Sequence, residues 1–201
     1  MQKQASTSVP IHWPIANRWS PRAFGTAPVS PVDLTKILEA ARWAPSCLNE
    51  QPWAFLVATR DQTEEFQKAL SCLVEFNQGW AKNASVLIFG LAHKVFAQSG
   101  KPNTYAWHDL GLATSQLILE GESLGLRTHA MAGILVDRIR EVFQVPEDFE
   151  PVTALAIGRP GDAESLPEAL LVREKAPRER KSLAQIAFGG QFGKPFADKG
   201  H

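Results

Sequence analysis

Two periods alternate along the chain, and each change of period marks a new element. Over residues 30–44 the apolar positions Leu34, Ile37, Leu38 and Ala41 recur at steps of three and four, which predicts a helix with one buried face. Ser30 can cap it, Pro31 suits its first turn, Asp33 lies at the positive end of its dipole, and Pro45 stops the run. The pattern then tightens to a strand over 54–58 and returns to a helical one from about 62 to 73. Residues 84–92 are almost continuously apolar, which predicts a strand covered on both faces in the middle of a sheet. The stretch 105–124 is the longest helix, apolar on nearly every side and so destined for a core or an interface, and Gly125 ends it. A short strand over 127–132, a short helix over 137–143 and a last core strand over 152–157 complete an α+β pattern: a mixed, largely antiparallel central sheet flanked by helices.

Both ends of the chain depart from this order. Residues 1–17 carry Pro and Ser and read as an irregular lead-in to a main domain spanning 18–160. Residues 161–201 are rich in Pro, Gly and charge, with too little apolar periodicity for a core of their own. A tail of that length is expected to wrap over a partner subunit.

Charge narrows the field. The 21 basic residues cancel the 21 acidic ones, so no overall field favours nucleic acid or an anionic membrane. Apolar runs such as Val86-Leu87-Ile88-Phe89 are far short of the roughly 20 residues a spanning helix needs. No signal peptide is visible at the start, and the two cysteines, Cys47 and Cys72, form no CxxC; a reducing cytoplasm is the expected location.

Generic nucleotide, protease and zinc motifs are absent, and the five histidines are scattered, so no metal is expected. Chemistry by a borrowed cofactor is favoured instead. In Arg18-Trp19-Ser20-Pro21-Arg22, two guanidiniums bracket a hydroxyl at alternate positions, so an extended backbone turns all three one way, as phosphate oxygens would require. Ala44-Pro45-Ser46-Cys47-Leu48-Asn49-Glu50-Gln51-Pro52-Trp53 is a polar loop whose small and amide side chains can bond the edge of a ring. Arg178-Glu179-Arg180 offers a second alternating pair. Taken singly, an exposed basic loop, a capped turn and a solvated charge run account for these segments equally well. Trp19, Trp43, Trp53 and Trp80 lie near them and hint at a flat aromatic ligand, although core packing explains any one of them better.

In order and spacing, the three segments resemble the nitroreductase family. The resemblance runs on through Asn77 and Trp80, Asp109-Leu110-Gly111, Leu124-Gly125-Leu126, Gly133 and the strand before Gly158, covering roughly residues 15–195. It implies a nitroreductase-like fold and a homodimer with flavin mononucleotide (FMN) at the subunit interface. Arg18, Ser20, Arg178 and Arg180 would hold the phosphate, and Arg22 the ribityl chain and the N1–C2 edge, where reduction places negative charge. Pro45, Ser46 and Asn49 would reach the flavin from the other subunit. Asn77 would bond the pyrimidine edge, and the backbone of Ala132 and Gly133 would face N5 and O4. Asp109 is read as structural, tying the long helix to the other subunit.

Three departures from the family pattern stand out: Trp80 where some relatives carry Lys, Ala132 where a Glu often precedes the glycine, and a short stretch over 93–104 where relatives insert helices. The resemblance implies ping-pong hydride transfer from NADH or NADPH through flavin N5 to a nitroaromatic, quinone or enone, with no catalytic side chain. His108 and His129 are the only candidate proton donors, His129 reading better as structural. Alternatives are a flavin-binding sensor or store without turnover, and a relative performing dehalogenation or dehydrogenation. For the latter, the polar 93–104 segment is the candidate lid.

Overall fold

Strand β2 (Val86–His93) shows why its sequence is apolar throughout. Its side chains alternate between two cores: Leu87, Phe89 and Leu91 enter one, Val86 and Ile88 the other. Both faces of the sheet are covered, so only the strand's last position, the half-buried His93, is left for a polar residue.

The computed structural model describes residues 3–196. Around β2 lie β1 (Trp53–Thr59), β3 (Arg127–Met131) and β4 (Phe149–Gly158), in the order β1-β2-β4-β3. Every pairing is antiparallel, with Val57 opposite Ile88, Ile88 opposite Leu155, and Thr128 opposite Ile157. The expected central place of β2 and the α+β class are therefore observed.

Helices α2 (Pro31–Arg42) and α5 (Ala106–Ser123) cover one face, packing Ile37, Ala41, Ala113 and Leu117 against Ile88 and Leu155. Ser30 caps α2 as expected, its Oγ accepting from the Asp33 N–H at 3.0 Å. Gly125 ends the α5 turn at φ +71°, where Leu126 N–H returns to the Gly121 carbonyl at 2.8 Å. The other face carries α3 (Thr63–Leu70), α4 (Glu75–Ala81) and α6 (Val136–Phe143), with Phe66, Trp80 and Ile139 buried. Two further helices lie nearer the ends of the chain: α1 (Trp13–Asn17) within the lead-in and α7 (Glu168–Lys175) early in the tail. The pattern reading did not register α1 and α4, which have five and seven residues, or α7, which is as long as α3 and α6 but gathers its apolar residues on no single face.

The outer side of α5 is left open. Ile15, Trp107, Ile118 and Leu119 border a groove of about 560 Å³ that reaches Arg18. The tail beyond α7 buries none of residues 177–196, and Leu183, Ile186, Phe192 and Phe196 stay exposed. Segment 93–104 closes as a hairpin, with Phe96 N–H bonded to the Lys101 carbonyl and Asn103 N–H to the Lys94 carbonyl. Among the described residues, no helix is long and apolar enough to cross a membrane.

Candidate functional site: an arginine cavity and its neighbours

The backbone after α1 runs extended, and its alternate side chains Arg18, Ser20 and Arg22 line a single cavity of about 270 Å³. The chain returns to the same cavity 150 residues later, bringing Arg178 and Arg180. Lys3 and Arg173 raise its basic residues to six, against two carboxylates, Glu174 and Glu179. The charges strain against one another. Burial lowers the pKa of Arg18, and the nearby Arg180 lowers it further. Burial, then Arg18 and Arg180, do the same to Arg178.

Part of this charge is held by the protein. Arg178 donates to the carbonyls of Lys3 and Ala16. The buried Glu174 carboxylate accepts the backbone N–H groups of Arg22 at 3.0 and 3.1 Å and of Ala23 at 3.2 Å, fixing the strand that presents Arg22. The Arg22 guanidinium lies 5.9 Å from the centre of the Trp80 ring, and its buried Nε has no partner. Guanidiniums crowded in this way gain most from an anion that accepts several of their hydrogen bonds at once, and a phosphate has the oxygens to do it.

Trp80 links this cavity to a second corner. It is 1% exposed, and one turn before it on α4 is the buried Asn77, whose Nδ2 donates to the Gly133 carbonyl at 3.2 Å. A Cβ at position 133 would stand 2.6 Å from Asn77 Nδ2 and 2.8 Å from Val74 Cγ2, so only glycine fits. Ala132, the neighbouring backbone position, is exposed. His129 packs on Trp80 with ring centres 4.5 Å apart, and its Nδ1–H donates to the Pro21 carbonyl at 2.9 Å. Burial, reinforced by Arg22, holds its pKa down to about 4, so the ring is neutral near pH 7 and poorly suited to give up a proton. Its structural reading is the one the geometry supports. His108 is exposed and meets only the Asp109 carboxylate of its own helix, at 3.1 Å.

Pro45, Ser46 and Asn49 stand apart: no residue of their loop lines the arginine cavity. The loop is tightly built, with Leu48, Asn49 and Gln51 at φ of 54°, 57° and 53°, and Ser46 Oγ accepting from the Gln51 N–H at 2.9 Å. The nearly buried Asp109 holds it by accepting the Cys47 N–H at 3.0 Å. Asp109 therefore ties the long helix to a loop of its own chain, a structural role.

The sequence reading missed Glu174 and Lys3. Glu174 sits in Arg173-Glu174-Lys175, which looks like any solvated charge run, and Lys3 lies in a lead-in without periodicity. The tryptophans do not converge on one ligand: Trp80 is core, and Trp43 is 71% exposed, bonded to Glu39 and stacked under Arg42.

Comparison with known proteins agrees with this architecture. Residues 15–159 match the model of the nitroreductase family. A protein of Archaeoglobus fulgidus, provisionally named an NADH dehydrogenase/NAD(P)H nitroreductase, is 31% identical over 77% of the chain and 88% of its own length. A crystal structure described as an oxidoreductase containing FMN superposes with a TM-score of 0.89 at 38% identity, covering 94% of this chain and 96% of that one. An FMN-dependent nitroreductase of Clostridium difficile R20291 gives a TM-score of 0.61 at 25% identity, over 82% of this chain and 96% of its own. With the fold, the family model and these relatives in agreement, the chain belongs to the nitroreductase family.

Proposed function

We propose that this protein is an FMN-dependent oxidoreductase that draws electrons from NADH or NADPH and reduces small acceptors of the nitroaromatic, quinone or enone class. The observation that carries the reading is the arginine cavity, which holds more positive charge than its own carboxylates offset. Arg18, Ser20, Arg178 and Arg180 hold the phosphate, and Arg22, kept in place by Glu174 and Trp80, supports the ring edge on which negative charge develops. Asn77 and the backbone of Ala132 and Gly133 form the neutral corner, where the missing Cβ of Gly133 leaves room for Asn77 and Val74 to pack against the main chain and fix its position. When bound, FMN supplies two-electron hydride chemistry that no side chain of this site offers.

The working unit in this reading is a homodimer. The open α5 groove and the unburied tail are complementary: one is an apolar surface beside the site, the other an extension with four exposed large apolar side chains. Residues 18–160 form the main domain, 1–17 lead into it, and in the C-terminal extension α7 and Arg178 pack on their own chain before residues 183–196 cross to the partner. Across the same interface Pro45, Ser46 and Asn49 reach the partner's flavin, which accounts for their distance from the arginine cavity of their own chain.

An anaerobic absorbance experiment tests the function. Purified protein with FMN is expected to show flavin bands that bleach on addition of NADH or NADPH and return when a quinone is added. Bands that persist with both nicotinamides would replace the reductase reading with one of storage or sensing.

A further inference from the structure

The lead-in returns to the anion cavity. The Ala5 N–H bonds the Ala16 carbonyl at 2.8 Å, folding residues 5–16 back on themselves. Arg178, one of the cavity's own cations, fastens both ends of this loop through the carbonyls of Lys3 and Ala16. Lys3 is thereby brought to the cavity wall, 171 positions from Glu174, whose carbonyl accepts from its Nζ at 2.7 Å.

The ammonium is poorly compensated there. It stands 4.8 Å from the centre of the Trp19 ring and forms no ion pair among the described residues. Its pKa is lowered, by burial first and then by Arg178 and Arg22, with Glu174 acting against them. An ammonium carries three protons, and the Glu174 carbonyl uses one. Two protons remain for an oxygen acceptor in the cavity.

We propose that Lys3 is a further phosphate ligand of this site, delivered by the N-terminal lead-in and acting with Arg18, Arg178 and Arg180. The identity of the phosphate as that of FMN rests on the proposed function. The need for an anion rests on the cavity itself.

Two titrations of the full-length protein and its K3Q variant separate these claims. FMN should bind K3Q roughly tenfold more weakly, as expected for one charge-assisted contact, and with a shallower salt dependence. Riboflavin, the same ring without phosphate, should bind both proteins alike, and K3R should restore most of the FMN affinity. Equal weakening for FMN and riboflavin would reduce Lys3 to a packing residue and overturn the proposal, as would unchanged FMN binding. Inorganic phosphate supplies the second arm: it should raise the Tm of the wild type more than that of K3Q. If wild type ignores FMN yet phosphate protects it in a Lys3-dependent way, the flavin reading fails and Lys3 stands. If phosphate protects both equally, Lys3 fails while the flavin reading is untouched.

Discussion

The two corners of the site are made from opposite materials. The arginine cavity gathers six basic side chains from three distant stretches of sequence, and their mutual repulsion favours an anion among them. The Asn77–Gly133 corner carries no charge and is defined by a contact so close that one methyl group would fill it. Charge at one end and shape at the other divide the work of holding a long ligand. Electrostatics supplies affinity, while close packing orients the part that reacts.

The largest expected effect falls at the charged corner. Replacing Arg18 and Arg180 together by Ala should weaken FMN at least about 100-fold, since two charge-assisted bonds of about 1.5–3 kcal/mol each amount to about 3–6 kcal/mol. Riboflavin should be affected only a few-fold. Because these arginines repel each other, the apoprotein's Tm should hold or rise, as calorimetry would record. A fall in apoprotein stability would mean that the cluster is structural.

At the neutral corner the pattern should invert. Gly133→Ala should destabilise the apoprotein by about 1–3 kcal/mol through overpacking against Asn77 and Val74. It should also weaken FMN and riboflavin equally, because the phosphate lies at the other end. Preferential loss of FMN would contradict the division.

Glu174 acts within the charged corner, since it anchors the backbone of Arg22 and offsets its charge. Glu174→Gln should lower apoprotein stability by about 1–2 kcal/mol, in line with a weakened buried hydrogen-bond acceptor. Added phosphate should recover more of that loss than it adds to wild type. Thermal scans with and without phosphate would read both.

At neutral pH the smallest effect concerns His129. Its pKa is held near 4 in the native protein against an ordinary 6.5, so the unfolded chain binds the extra proton first as pH falls. Its contribution to stability is therefore complete above about pH 6.5 and is lost progressively toward pH 4. Stability curves measured between those limits should be flatter for His129→Gln.

Elements with a strong period were legible in the sequence. β2 announced itself because burial on both faces leaves no polar position, and α2 because its cap, first turn and apolar face agree. Helices α4 and α7 were not legible: α4 spans seven residues, and α7, though as long as α3 and α6, gathers its apolar residues on no single face. At the site, Arg18, Ser20, Arg22, Arg178 and Arg180 do line one cavity, but so do the intervening Trp19 and Glu179, so proximity in the fold rather than strict alternation brings them together. Glu174 could not be anticipated: a carboxylate flanked by Arg and Lys in a charged tail reads as solvated until the tail folds back over it. Nor could Asp109, whose partner is a backbone N–H that no side-chain pattern reveals.

The most direct test of the account is a titration of the wild-type apoprotein with FMN and with riboflavin at low and high salt. FMN should bind at least about 100-fold more tightly at low salt, and the gap should narrow as salt screens the arginine cavity. Equal affinity for the two ligands, unchanged by salt, would show that the cavity does not hold the phosphate and would contradict the account at its centre.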